Sequence, residues 1–206
     1  MSLRKKLLAV SFLFSSAFTP AAFAESDKEK GFYGLMGVGI GRHVDIDISA
    51  ASGGGQILFD SGFTGDFGVG YDWGSIRTEL AYNYIQNDVS SVQGYSSNVG
   101  VEFSSVFLSA YYDFRADKDW QPFVGIGFGS TQITATSSYS GDVSLSAGDD
   151  NIVSAKVALG VTYRANDRVD VFGELWGTGY DDFTIGTFTY SDCGVGGLSV
   201  GARFKF

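Results

Sequence analysis

The chain has 206 residues, among them 29 Gly, 2 Pro and 1 Cys, with 44% hydrophobic and 16% aromatic residues. Glycine at about twice its usual share of ~7%, without a G-X-Y period and beside abundant aromatics, excludes collagen and disorder, and a single Cys excludes a disulfide scaffold. Acid exceeds base by 23 to 14, which excludes a protein built to grip nucleic-acid backbones.

Residues 1–24 read as a cleaved secretory signal. Arg4, Lys5 and Lys6 form a basic start, residues 7–18 are apolar but too short to span a bilayer, and Ala22-Phe23-Ala24 is a small-x-small cleavage site. Residues 25–206 are then the mature domain, and their one Cys, Cys193, has no partner for a disulfide within the chain.

From residue 32 onward the sequence alternates with period two, the signature of strands with two unlike faces. Eight runs do so: 32–41, 62–71, 76–84, 105–114, 122–129, 153–164, 169–176 and 197–206. Each approaches the 9–11 residues of a tilted membrane-spanning strand. The connections alternate between long (about 42–60, 86–102, 130–151 and 179–194) and short (72–74, 115–119 and 165–167). Short periplasmic turns and long extracellular loops are expected of an all-β, eight-stranded antiparallel up-and-down transmembrane barrel.

A soluble barrel of the lipocalin type has its apolar set inside. The glycines argue against it. Gly37, Gly39, Gly41, Gly125, Gly127 and Gly129 share one parity, and short residues suit a crowded lumen better than a watery surface. The same parity carries Arg77, Lys156, Arg164, Arg203 and Lys205 with Asp66, Glu79, Asp113, Asp170 and Glu174. These charges cancel, as buried charges must. Arg77, Glu79, Lys156, Glu174 and Arg203 are expected to form a lumenal ion network. On the opposite parity Phe32, Tyr71, Phe114, Tyr163, Phe204 and Phe206 make an interfacial aromatic girdle.

The chain ends Ser199-Val200-Gly201-Ala202-Arg203-Phe204-Lys205-Phe206. The pattern of polar Ser199, then Gly201, Phe204 and terminal Phe206 resembles the assembly signal of bacterial outer-membrane proteins. With stretches such as Arg77-Thr78-Glu79-Leu80-Ala81-Tyr82 and Pro122-Phe123-Val124-Gly125-Ile126-Gly127, the mature chain resembles the small eight-stranded outer-membrane barrels of the opacity-protein and OmpA-like or OmpX-like group. That resemblance implies a Gram-negative outer-membrane location and recognition by the barrel-assembly machinery. It implies a monomeric barrel in contact with outer-membrane lipid and lipopolysaccharide, and needs no cofactor.

Residues that could carry chemistry are few. His43 falls in the first long connection, near Asp45 and Asp47, and is expected to be an exposed loop residue. With a loop Ser and Asp it would be the core of a lipid-modifying enzyme. Glu79 and Glu174, flanked by cations, are better read as structural ion pairs than as acid–base catalysts, and the glycine runs lie within strands rather than before a helix, unlike a phosphate loop. The long connections hold eleven carboxylates against Arg42. Among them Asp149, Asp150, Asp181 and Asp182 are candidates for surface cation binding that bridges to lipopolysaccharide. The expected function is a structural or surface-interaction role, with host or extracellular ligands as partners. The alternatives are a narrow conduit for small or hydrophobic solutes and, third, the lipid-modifying enzyme.

Overall fold

The computed structural model describes residues 30–43, 46–50, 53–92, 95–137, 143–146, 152–181, 183–185, 188–190 and 194–206. The signal segment, Asp149, Asp150, Asp182 and Cys193 lie outside the described residues.

Eight antiparallel strands close the barrel: β1 (Gly31–His43), β4 (Gly62–Asp72), β5 (Ile76–Val92), β6 (Tyr95–Asp113), β7 (Trp120–Ser137), β9 (Ile152–Arg164), β10 (Val169–Tyr180) and β13 (Gly194–Lys205). Each pairs with its chain neighbour in this set, and β13 returns to β1. No edge is left open, so every backbone group in the apolar layer finds its partner within the wall.

Parity sorts the faces as the alternation predicts. Phe32, Met36, Val38 and Ile40 of β1 point outward and are exposed, while Tyr33 and Leu35 are buried. From Phe32 to Ile40 the tilted strand rises by roughly 20 Å, close to the apolar band of such barrels. At the rim that carries the short turns aromatic rings touch in pairs: Phe32 meets Tyr71 edge-on at 4.8 Å between centroids, and Trp120 lies 4.8 Å from Tyr163.

The short turns are held by their own side chains. In the first, Asp72 Oδ1 accepts the Gly74 amide at 2.8 Å and Gly74 has φ 110°, a conformation that glycine adopts without strain. In the third, Asn166 Oδ1 accepts the amides of Arg168 and Val169.

The long connections differ from expectation. Within the stretch 86–102, expected to form a loop, residues 86–92 and 95–102 continue β5 and β6 as a ladder with one bulge near Val89 and Ser91. Between β1 and β4, β2 (Ile46–Ala50) and β3 (Gly53–Phe59) prolong the same hairpin: Ile46 faces Ile57 in the register that sets Gly41 opposite Gly62. β11 (Phe183–Ile185) and β12 (Phe188–Tyr190) prolong β10 and β13 likewise, β12 also pairs with β2, and β8 (Val143–Ser146) pairs with β7. The barrel wall therefore continues as sheet beyond the band of exposed apolar side chains. These segments, rich in Gly, Ser and Asp, carry too weak an alternation to be read as strands.

Candidate functional site

The lumen is the candidate site, and glycine makes room in it. Six lumenal rings each stand directly across the ladder from a glycine: Tyr33 from Gly70, Phe107 from Gly129, Tyr111 from Gly125, Phe123 from Gly160, Phe172 from Gly201 and Trp176 from Gly197. A methyl group added at any of these glycines would run into the ring. Of the six glycines that the alternation places in the lumen, Gly125 and Gly129 lie under Tyr111 and Phe107, Gly41 lies beside Trp176, Gly39 and Gly127 lie beside Ser199 and Ser109, and Gly37 lies beside the Asp66 carboxylate.

Near the periplasmic end the charges meet. Arg77 Nε donates to Asp113 Oδ2 at 2.7 Å and its Nη1 to Glu79 Oε1 at 2.7 Å. Glu79 also accepts the Tyr33 hydroxyl at 2.7 Å and has Arg203 Nε at 3.4 Å. The two guanidinium carbons lie 5.2 Å (Arg77) and 5.5 Å (Arg203) from the centroid of the Phe123 ring, and Arg203 also lies 4.4 Å from that of Phe172. Arg203 Nη1 reaches Thr162. Cation–π contacts and charge-assisted hydrogen bonds thus satisfy each guanidinium on several sides.

The five network residues form two groups instead of one. Lys156 and Glu174 pair with each other at 2.8 Å, apart from the Arg77–Glu79–Arg203 group. Asp113 and Tyr33 complete the latter, and sequence reasoning gave them no such role. Of the other lumenal charges, Lys205 pairs with Asp170 at 2.8 Å, while Arg164 donates to the Ala116 carbonyl. The Arg115–Asp119 turn tucks under the barrel there, with Ala116 buried and Gln121 Nε2 donating to the carbonyls of Ala116 and Lys118.

The extracellular end carries fewer charges. Ile85, Phe103, Ile133, Ile152, Tyr180 and Val195 are the outer part of an apolar cluster inside the wall that continues through Trp176 and Ala158 down to Tyr111, Phe123 and Phe172. His43 belongs to it, which corrects the exposed-loop expectation: it ends β1, is 2% exposed and stacks on Phe103 at 4.1 Å. Its Nδ1–H donates to Asn87 Oδ1 at 3.0 Å, while Asn87 Nδ2 donates to the carbonyls of Gly41 and Asp60. Held by an amide and stacked on a ring, the imidazole packs as part of the interior. The signal was in the sequence, since His43 continues the lumenal parity of Tyr33, Leu35, Gly37, Gly39 and Gly41.

In the terminal motif Ser199 Oγ accepts the Trp176 indole N–H at 2.8 Å and Gly201 lies beneath Phe172. Phe204 and Phe206 face outward. Asp181, just past β10, donates its amide to the Val153 carbonyl.

Over residues 10–206 the chain matches the family described as outer membrane protein beta-barrel domain. The chain belongs to that family. No curated protein matches it. Solved outer-membrane barrels share its fold. Neisserial surface protein A superposes with a TM-score of 0.60 at 20% identity, covering 87% of this chain and all of that one. OprG of Pseudomonas aeruginosa gives 0.57 at 14%, covering 88% of this chain and all of OprG. AlkL, determined by solid-state NMR in DMPC bilayers, gives 0.53 at 14%, covering 89% of this chain and 94% of AlkL.

Proposed function

We propose that this bacterial outer-membrane barrel has a structural and surface-interaction role, acting through its extracellular prolongation rather than through its lumen. The observation that carries the reading is the double closure of the interior. A layer of ion pairs and rings crosses it toward the periplasm, and the apolar cluster that includes those rings extends to Ile85, Phe103 and Val195 at the other end. An eight-stranded barrel is just wide enough to be filled by its own side chains. The acidic outer segments, Asp149, Asp150, Asp181 and Asp182 among them, then face lipopolysaccharide through bridging divalent cations, or a cationic host or extracellular ligand. Residues 1–24 direct export and are removed, and Ser199, Gly201, Phe204 and Phe206 present the chain to the assembly machinery.

Single-channel recording of the full-length barrel in planar bilayers tests the closed lumen. The expected result is no reproducible unit step, and clean steps of constant size would overturn the reading in favour of a conduit. Lipid A from cells overexpressing the chain is expected to keep its mass spectrum; a new acylation state would restore the enzyme reading.

A further inference from the structure

Within the apolar band the cations leave one carboxylate over. Glu79 and Asp113 take Arg77 and Arg203, and Glu174 takes Lys156, while Asp66 enters none of these ion pairs. With every member ionised, the group formed by Asp66, Glu174 and Lys156 carries one net negative charge, in a place where charge must be compensated.

Asp66 projects from β4 toward Gly37 of β1, where a Cβ would lie 2.7 Å from its Oδ1. On its other side it faces Asn83 across the ladder. Thr64, two residues earlier on the same lumenal face, is 4% exposed, and its Oγ1 has no hydrogen-bond partner. Thr64, Asp66, Asn83 and Lys156 border a void of about 20 Å³; Asp66, Asn83 and Lys156 border a second of about 10 Å³. The first has room for one small guest. An orphaned hydroxyl, an amide and an uncompensated carboxylate around such a void are the oxygen donors that a hard cation takes. One net charge beside a lysine selects a monovalent ion, since divalent ions draw on more carboxylates than this site supplies.

We propose that Asp66, Thr64 and Asn83 hold a small alkali cation, Na⁺, in the lumen. The bound ion neutralises the Asp66–Glu174–Lys156 group and satisfies the Thr64 hydroxyl. It makes the barrel interior an alkali-cation site independent of any partner at the cell surface.

The test folds the full-length barrel in NaCl, in KCl or in N-methyl-D-glucamine chloride at equal ionic strength, and reads Tm from heat-modifiable gel mobility. Tm is expected to be roughly 5 °C higher in NaCl than in N-methyl-D-glucamine, with the difference abolished in Asp66→Asn and reduced in Thr64→Val. A Tm independent of the cation, or a difference that persists in Asp66→Asn, would overturn the proposal. Should Asp66→Asn fail to fold, wild-type crystals grown in NaCl supply the second readout. Oxygen contacts clearly shorter than the ~2.7 Å of a hydrogen bond are expected around a density peak between Asp66 and Thr64, and contacts only at hydrogen-bond length would identify a water and overturn the site. Neither readout depends on conductance, so the sodium site and the closed-lumen function fail separately.

Discussion

Two levels of the same interior share one run of packed rings and differ in what accompanies it, ion pairs at one and aliphatic side chains at the other, both set by the same strands. β5 contributes Arg77 and Glu79 inside the apolar band and Ile85 at the extracellular end; β6 contributes Asp113 in the first and Phe103 in the second. The difference follows from what surrounds the wall. Within lipid, moving an apolar side chain from the outer face to the lumen removes nothing from water, so the lumen is held by hydrogen bonds and ion pairs. Where the wall emerges into water, burial of apolar surface again becomes the driving force, and the interior turns into the core of a soluble protein. One barrel thus changes its mode of stabilisation along its own axis.

Substitutions at the two levels break the comparison in different ways. The largest effect is expected from Glu79→Ala, which strips one acceptor from Tyr33, Arg77 and Arg203 together. A loss of about 3–5 kcal/mol in urea unfolding of the detergent-folded barrel is expected, and a loss below about 1 would show that the polar layer is dispensable. Phe103→Ala should follow, at about 3–4 kcal/mol. Its hydrogen-exchange signature should be confined to the extracellular ends of β1, β5, β6 and β10; a uniform increase along the strands would mean that the two levels are one cooperative core. Glu174→Ala should lose less, about 1–3 kcal/mol, because the Lys156 side chain left behind is 12% exposed and can rehydrate in part.

The smallest effect belongs to the exposed Asp117–Lys118 pair in the second periplasmic turn. The hydrogen bond from Lys118, followed by the backbone and the neighbouring cations, holds the Asp117 carboxyl below its ordinary value. A depressed carboxyl adds stability above its unfolded pKa of about 4 and loses it as pH falls through the folded value. With both groups in water that contribution is screened. Lys118→Ala should leave Tm unchanged between pH 5 and pH 7, and a measurable drop would assign the turn a role in closing the barrel.

Much of this was legible from the residues. Period two identified the eight walls, the faces and the periplasmic girdle, because lipid outside and charge inside enforce a strict alternation. It could not say that Arg77 meets Asp113, 36 positions away, since parity places both in the lumen but not at one height. It also stopped the walls too early. His43, Ile85 and Asn87 keep the lumenal parity, yet their outer-face neighbours Arg42 and Gln86 are polar, as expected once the strand has left the lipid, and a pattern sought in apolar outer residues ends there.

The ring-over-glycine pairs bear on a problem that alternation alone leaves unsolved. A slip of one residue between strands turns every side chain to the wrong face, whereas a slip of two keeps all the faces and would go unpunished by polarity. Here shape forbids it. Sliding β10 by two against β13 would set Phe172 and Trp176 over Arg203 and Ser199, or over Ser199 and Val195, in place of Gly201 and Gly197. Sliding β6 against β7 would drive Phe107 onto Thr131 or Tyr111 onto Phe123. Each ring and its glycine act as key and slot, so the sequence counts its own register as the barrel closes.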